Sequence, residues 1–208
     1  MRYLFRFVMV CLFALPAAGS AQEAATPEAT PVLPGAVQDP AFYCQQQGGV
    51  VRERVPILGT NDPATQIQLA GSRQFCEFTG GEGADPSTSW IAVDLDTLMA
   101  VTPTLAALAY LTTPPIPENN EHSANPASLY CSALGGAEIG SLTGVGGGWV
   151  TEDTDTDIQV LQACTFPDGS IIDSWGIAYH TDGTIRGADL TPILSYQSAN
   201  PPLVFPGQ

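Results

Sequence analysis

A twelve-residue stretch, Asn125 to Gly136 (NPASLYCSALGG), returns in weaker form at Asp39 to Gly49 (DPAFYCQQQGG). In each copy Asn or Asp precedes Pro-Ala, a Cys follows, and a Gly-Gly pair begins four residues after that Cys. The echo continues downstream: Cys131 follows Cys44 by 87 positions, Cys164 follows Cys76 by 88, Trp175 follows Trp90 by 85 and Tyr196 follows Tyr110 by 86. Pro114-Pro115 and Pro201-Pro202 close the two series. A nearly constant offset is the mark of self-similarity, and it bears on domain count before any element is assigned. The sequence reads as two tandem modules: 39–111 is a degenerate copy and 125–197 the better preserved one, joined by a Pro-rich linker over 112–124 and followed by a tail over 198–208.

Each module predicts an α+β unit. Asp39 and Asn125 are good N-caps, Pro40 and Pro126 suit the first helical position, and Gly48 and Gly135 supply the left-handed residue that stops a short helix. The module's first Cys rides on that helix, where a disulfide would pin it to a strand. Val50 to Leu58 is rich in β-branched residues, Thr65 to Leu69 and Arg73 to Thr79 return as extended segments, and Ile158 to Phe166 places Val160, Gln162, Cys164 and Phe166 on alternate positions. These segments predict a small antiparallel sheet of two or three strands in each module. A second helical segment is expected over Ser87 to Leu98 after Asp85-Pro86. Its counterpart follows Ser170, whose spacing to Asp173 is that of a capping box. There Trp175 and Tyr179 would share a face, while Ile171 and Ile172 leave a strand open. Leu105, Leu108 and Leu111, and then Leu190, Ile193 and Leu194, are apolar segments suited to closing each core.

Compartment follows from the N-terminus and the cysteines. Arg2 and Arg6 flank an apolar run, Phe7 to Leu15, ended by Pro16 and followed by Ala17-Ala18-Gly19-Ser20-Ala21. This is the pattern of a secretory signal peptide over 1–21 with cleavage after Ala21, and it is too short for a permanent membrane anchor. Val10 before Cys11 does not suit lipoprotein cleavage. Residues 22–38 are rich in Ala, Thr, Pro and Glu and read as a disordered spacer. The remaining chain carries four arginines (Arg52, Arg54, Arg73, Arg186) and no Lys against 21 acidic side chains. Such a surface repels phosphate backbones and anionic lipid heads, which excludes nucleic acid as a partner. Four cysteines then remain, an even number that in an oxidising compartment implies two disulfides. Of the three possible pairings, the repeat selects Cys44 with Cys76 and Cys131 with Cys164, so that each module closes its own loop. Each closure is worth roughly 3–4 kcal/mol on the chain-entropy model. The cysteines lack the close C-x-x-C spacing of zinc sites, and no cofactor or metal is expected.

The segment NPASLYC, the Gly-Gly, Cys164-Thr-Phe-Pro-Asp-Gly-Ser and Trp175 together resemble the bacterial and archaeal domain of unknown function 333. Its members carry an NPAS-x-YC start, a Gly-Gly, a Cys-x-Phe-Pro-Asp-Gly-Ser segment and a following Trp. The likeness covers about Asn125 to Tyr179. The first module shares it through repetition alone, with Asp39 for Asn and Gly80-Gly81-Glu82-Gly83 in place of Pro-Asp-Gly. The resemblance implies an exported, disulfide-containing protein. Some members are labelled hemolysins, and no catalytic or pore-forming motif comes with that label.

Candidate chemistry is sparse. Asp153, Asp155 and Asp157 alternate like the first half of a calcium loop, but Ile158 stands where Gly is needed and Cys164 where Glu is needed, so a solvated acidic turn is expected, with a weak calcium site as the alternative. Gly144, Gly146, Gly147 and Gly148 have no following Lys and read as a flexible hairpin loop rather than a phosphate cradle. His180, Asp182 and Ser174 are close in sequence without a nucleophile motif, so an enzyme is not expected. The expected binding face is the Gly144 to Asp157 hairpin, with Trp149 and the three aspartates. The sequence thus predicts an exported, non-enzymatic interaction module for a protein, peptide or envelope component. A membrane-active hemolysin and a protease-inhibitor-like module are the alternatives. N-terminal sequencing of the exported protein is expected to begin at Gln22; a start elsewhere, or retention of residues 1–21, would remove the export reading.

Overall fold

A computed structural model describes residues 38–80, 89–116, 125–141, 144–151, 160–197 and 204–206. The expected signal peptide, most of the spacer, much of the linker and most of the tail lie outside the described residues. Asp39 caps α1 (Pro40–Gln46) by accepting the Ala41 N–H, and Pro40 sits in its first turn. β1 (Val50–Leu58) follows, then the short β2 (Ile67–Gln68) and β3 (Arg73–Thr79). β4 (Trp90–Asp94) leads directly into α2 (Leu95–Met99), and α3 (Leu105–Thr112) ends this half. In the second half Asn125 caps α4 (Pro126–Ala133), which is followed by β5 (Gly147–Thr151), β6 (Ala163–Thr165), β7 (Ile171–Asp173) and α5 (Ser174–Thr181). Among the described residues no helix is long and apolar enough to cross a membrane.

Both predicted disulfides are present, Cys44–Cys76 and Cys131–Cys164, each tying the first helix of its half to a strand. The second glycine of each Gly-Gly pair explains how. A Cβ on Gly49 would lie 2.9 Å from Cys44 Sγ and closer still to Cys76 Sγ; one on Gly136 would lie 3.0 Å from Cys131 Sγ and closer to Cys164 Sγ. The disulfide therefore rests directly on a bare Cα. The first glycine of each pair does a different job, with φ of +85° at Gly48 and +79° at Gly135 ending the helix in open space.

The pairing register is the same in the two halves. Val50 faces Glu77 as Ala137 faces Thr165, and Cys76 faces Val93 as Cys164 faces Ile172. The sheets expected in separate modules are one antiparallel sheet, in the order β2-β1-β3-β4-β7-β6, with β5 on the far side of β1. The halves join where Val93 pairs with Ile172. The sheet then curls until its ends meet, because Trp149 of β5 exchanges two backbone hydrogen bonds with Leu161, just ahead of β6. One face lines the curl with Phe75, Trp90, Ala92, Trp149, Leu161 and Ile171. The other carries Cys76, Phe78, Ile91, Val93, Cys164 and Ile172 against the helices.

Two expectations are corrected here. Ser87 to Leu98 is not a helix throughout: Trp90–Asp94 is a strand buried on both faces, and only Leu95–Met99 is helical, while Asp85 and Pro86 lie outside the described residues. A continuous apolar run fits a buried strand and a buried helix equally well, and pairing with β3 and β7 decides it. Ser170 and Asp173 form no capping box. The β-branched Ile171 and Ile172 extend as β7, Asp173 itself caps α5 through the Trp175 N–H, and the Ser170 hydroxyl accepts from Ala106 N. Trp90 and Trp175 are therefore not counterparts; register aligns Asp94 with Asp173, each ending a strand and capping a helix.

The closing segments cross over. Tyr43, one residue before Cys44, donates its hydroxyl to Ile193 O at 2.6 Å, and Tyr130, one residue before Cys131, donates to Pro114 O at 2.5 Å. The Pro-Asp-Gly-Ser turn reaches the other way: Asp168 accepts Leu105 N at 2.7 Å and Ser170 accepts Ala106 N, supplying partners for the open end of α3. We expect Gly136→Ala to lower stability by about 2–3 kcal/mol through overpacking against the disulfide, and Gly135→Ala to cost about 1–2 kcal/mol from backbone strain alone. Urea unfolding of the oxidised protein measures both; equal costs would mean that the sulfur seat is not tight.

Candidate functional site

The first turn of α4 organises a polar network. Asn125 Oδ1 accepts the Ser128 N–H at 3.1 Å, and its Nδ2 donates to Gln162 Oε1 at 2.9 Å. Trp175 Nε1, from the first turn of α5, donates to the same Gln162 oxygen at 2.9 Å. Two donors on one amide oxygen orient the whole group, because oxygen and nitrogen cannot then exchange places. Gln162 Nε2 is left as a donor with no acceptor among the described residues. Indole, Asn and Gln come from three separate elements, so this orientation is built into the tertiary structure.

Gln162 lines a groove of about 490 Å3. Ser128, Leu129 and Ser132 of α4 form one wall, and the turn from Glu138 to Ser141 forms another. Glu138 is half-buried, and its Oε1 is enclosed without a hydrogen-bond partner among the described residues. The third wall is the Gly-rich bend, which proves anchored. Gly59 N donates to Gly146 O, Asn61 N to Val145 O and Asn61 Nδ2 to Gly144 O, so the first half's turn holds the second half's loop. Gly140 permits the approach. Its φ is +80°, and a Cβ there would run into the Gly146 backbone.

The corresponding region of the first half is poorer. A smaller groove of about 240 Å3 is lined by Asp39, Arg73, Gln74, Asp94 and Asp96. Asp39 stands for Asn125 and Asp96 for Trp175, so the two donors that orient Gln162 have no equivalents around Gln74. Arg73 and Asp96 pair at 3.6 Å across exposed surface, an arrangement of little energetic weight.

Near Glu138 lies a buried carboxyl. Asp173 is 2% exposed; one carboxylate oxygen caps α5, and the other faces Arg186 Nη1 at 3.5 Å. Burial pushes its carboxyl up to about 7, against the opposing pull of Arg186 and the α5 amides, and nearby Glu138 pushes the same way. Asp94, its counterpart by register, is also raised by burial. Arg186 lies over the Tyr179 ring at 5.5 Å.

The nominated binding residues fare differently. Trp149 is not on an exposed hairpin. It is 8% exposed, packs edge-on against Phe75 at 5.5 Å and lines the curl. Arg54 shares that interior, pairing with Glu77 at 2.5 Å, donating to Trp149 O and lying 5.5 Å from the Trp90 ring. Asp153, Asp155 and Asp157 lie outside the described residues. Ser174 and His180 are not brought together: Ser174 Oγ is buried with no hydrogen-bond partner among the described residues, while the His180 ring stacks on Tyr110 at 3.9 Å. The four nominated cysteines are paired as predicted. Sequence reasoning missed the Asn125–Gln162–Trp175 network and Glu138. The signal was a polar Gln162 on the same strand phase as Cys164 and Phe166, where an apolar residue would be expected.

No family model, no curated protein and no solved structure matches this chain.

The raised carboxyl of Asp173 has a definite sign. Its folded value lies above its unfolded one, so its contribution is full below about pH 4 and is lost as pH rises through about 7. Asp173→Asn retains a capping oxygen and removes the titration. Urea midpoints of the variant should fall less steeply than wild type between pH 4 and 7.5; identical slopes would mean that Asp173 stays ionised throughout.

Proposed function

We propose that this is an exported, non-enzymatic binding module that engages an envelope or extracellular ligand at the groove beside α4. The observation that carries the reading is the fixed Gln162 amide, held by Asn125 and Trp175 from two different helices while its donor end has no acceptor among the described residues. Locking a solvent-facing amide costs side-chain entropy and leaves a donor without a partner among the described residues, a combination that suits ligand recognition better than stability. The groove lies at the Gly144 end of the hairpin nominated from sequence, on a frame of two disulfides and one curled sheet.

Export is the setting in this proposal: residues 1–21 are removed after Ala21, and the protein works in the periplasm or outside the cell. The two disulfides fit an oxidising compartment. The repeated register supports reading the chain as two diverged copies of one module, 39–111 and 125–197, that now share a sheet. The second copy keeps the resemblance to the domain of unknown function 333, and its Pro-Asp-Gly-Ser turn has an architectural task at the start of α3. The separation of Ser174 from His180 favours binding over hydrolysis.

Ser132→Trp fills the groove from an exposed position on α4. Immobilised mature protein is expected to retain a specific component of envelope extract or culture medium, and the variant to lose it with an unchanged far-UV circular dichroism spectrum. Recovery of the same component by both proteins, or of nothing specific by wild type, would overturn the assignment of this groove.

A further inference from the structure

Resting on the binding reading just given, we infer that the α4 groove takes a neutral saccharide. Charge narrows the choice first. Among the described residues Glu138 lines the groove and no basic side chain does, in a protein whose acidic residues number 21 against six basic ones. An anionic ligand would approach a carboxylate with no compensating cation, so phosphorylated, sulfated and carboxylated ligands are disfavoured.

Hydrogen-bond pattern narrows it further. Gln162 presents a donor, the Ser128 hydroxyl can donate or accept, and the Ser132 and Ser141 hydroxyls, which already donate to Ser128 O and Glu138 O, can accept; the Glu138 carboxylate lines the same groove, with Oε1 enclosed. A ligand matched to that lining must offer donor and acceptor at the same atoms, repeated at short spacing. Sugar hydroxyls do so. A hydroxyl lying between the Gln162 amide and the Glu138 carboxylate would accept from one and donate to the other, while Leu129 and Ile139 offer apolar contact for C–H faces. The volume, about 490 Å3, lies within the roughly 300–1,000 Å3 of small-molecule pockets.

Backbone accounting disfavours a peptide. Extended peptides are held chiefly by unpaired strand edges. Here the carbonyls of Gly144, Val145 and Gly146 already accept from Asn61 and Gly59, Gly144 N donates to Gly140 O, and Ser141 N donates to Glu138 O. Recognition in the groove therefore falls to side chains, whose chemistry is that of hydroxyl recognition.

The test uses the mature protein and titration calorimetry against neutral di- and trisaccharides of hexose and N-acetylhexosamine units, with sialylated and phosphorylated versions alongside. At least one neutral probe is expected to bind saturably, and its charged versions at least tenfold more weakly. Gln162→Glu keeps an acceptor for Asn125 and Trp175 but turns the donor into a second acceptor. Glu138→Gln keeps shape and removes the charge. Each is expected to weaken binding about tenfold, the scale of one hydrogen bond involving a charged group. Binding untouched by both variants, or charged probes bound as well as neutral ones, overturns the inference. If no neutral probe binds while Ser132→Trp still abolishes capture of an envelope component, the saccharide class falls and the groove stands; if capture is also unaffected, both readings fall.

Discussion

A disulfide seated on a glycine Cα is the contact from which the rest of each half is built. Cys44–Cys76 rests on Gly49, and Cys131–Cys164 on Gly136. A side chain at either glycine would press on both sulfurs and push the first helix away from the sheet. That helix is only seven or eight residues long, too short to persist in water by itself. The bridge holds it in place, and the adjacent tyrosine then reaches a carbonyl of the opposite half. Helix, strand and crossing segment are therefore secured by one short run of residues in each copy.

Fusion of the halves follows from what each lacks alone. A module of this size buries a small core, and three strands leave an open edge. Pairing β4 with β7 covers one edge, and β5 bridges between β1 and Leu161 to cover the other. The curl so formed has room inside for Trp90, Trp149 and Phe75 and for the Arg54–Glu77 pair. Removing one member of a buried ion pair is costly, so this pair favours the assembled arrangement over looser ones. The exchange of closing segments makes each half depend on the other for the acceptor of a tyrosine hydroxyl, and the first half depend on the second for partners at the start of α3.

The two halves differ around the groove. The second half has Asn, Gln and Trp in mutual contact, and the first has Asp39, Gln74 and Asp96 at the matching places. The scaffold positions are common to both, since the disulfides, glycines, capping aspartates and strand register repeat. The chemistry is not. The turn at Asn61 shows the first half propping up the second half's glycine loop.

Sequence alone determined the local and the covalent: the caps at Asp39 and Asn125, the glycine stops, β1 and β3, the disulfide pairing and the apolar segments ending at Leu111 and Leu194. Those features depend on a few neighbouring residues or on a repeat visible in one dimension. Tertiary structure alone decided that Trp90–Asp94 is a strand, that Trp149 is interior and that Gln162 has an oriented amide. A buried apolar run has no period to mark it as strand or helix, and a tryptophan in a Gly-rich segment looks exposed until a second strand covers it. Amide orientation requires Asn125, Gln162 and Trp175 to meet across separations of 37 and 13 residues, and no local propensity encodes such a meeting. It exists because the starts of α4 and α5 come together at the residue just ahead of β6.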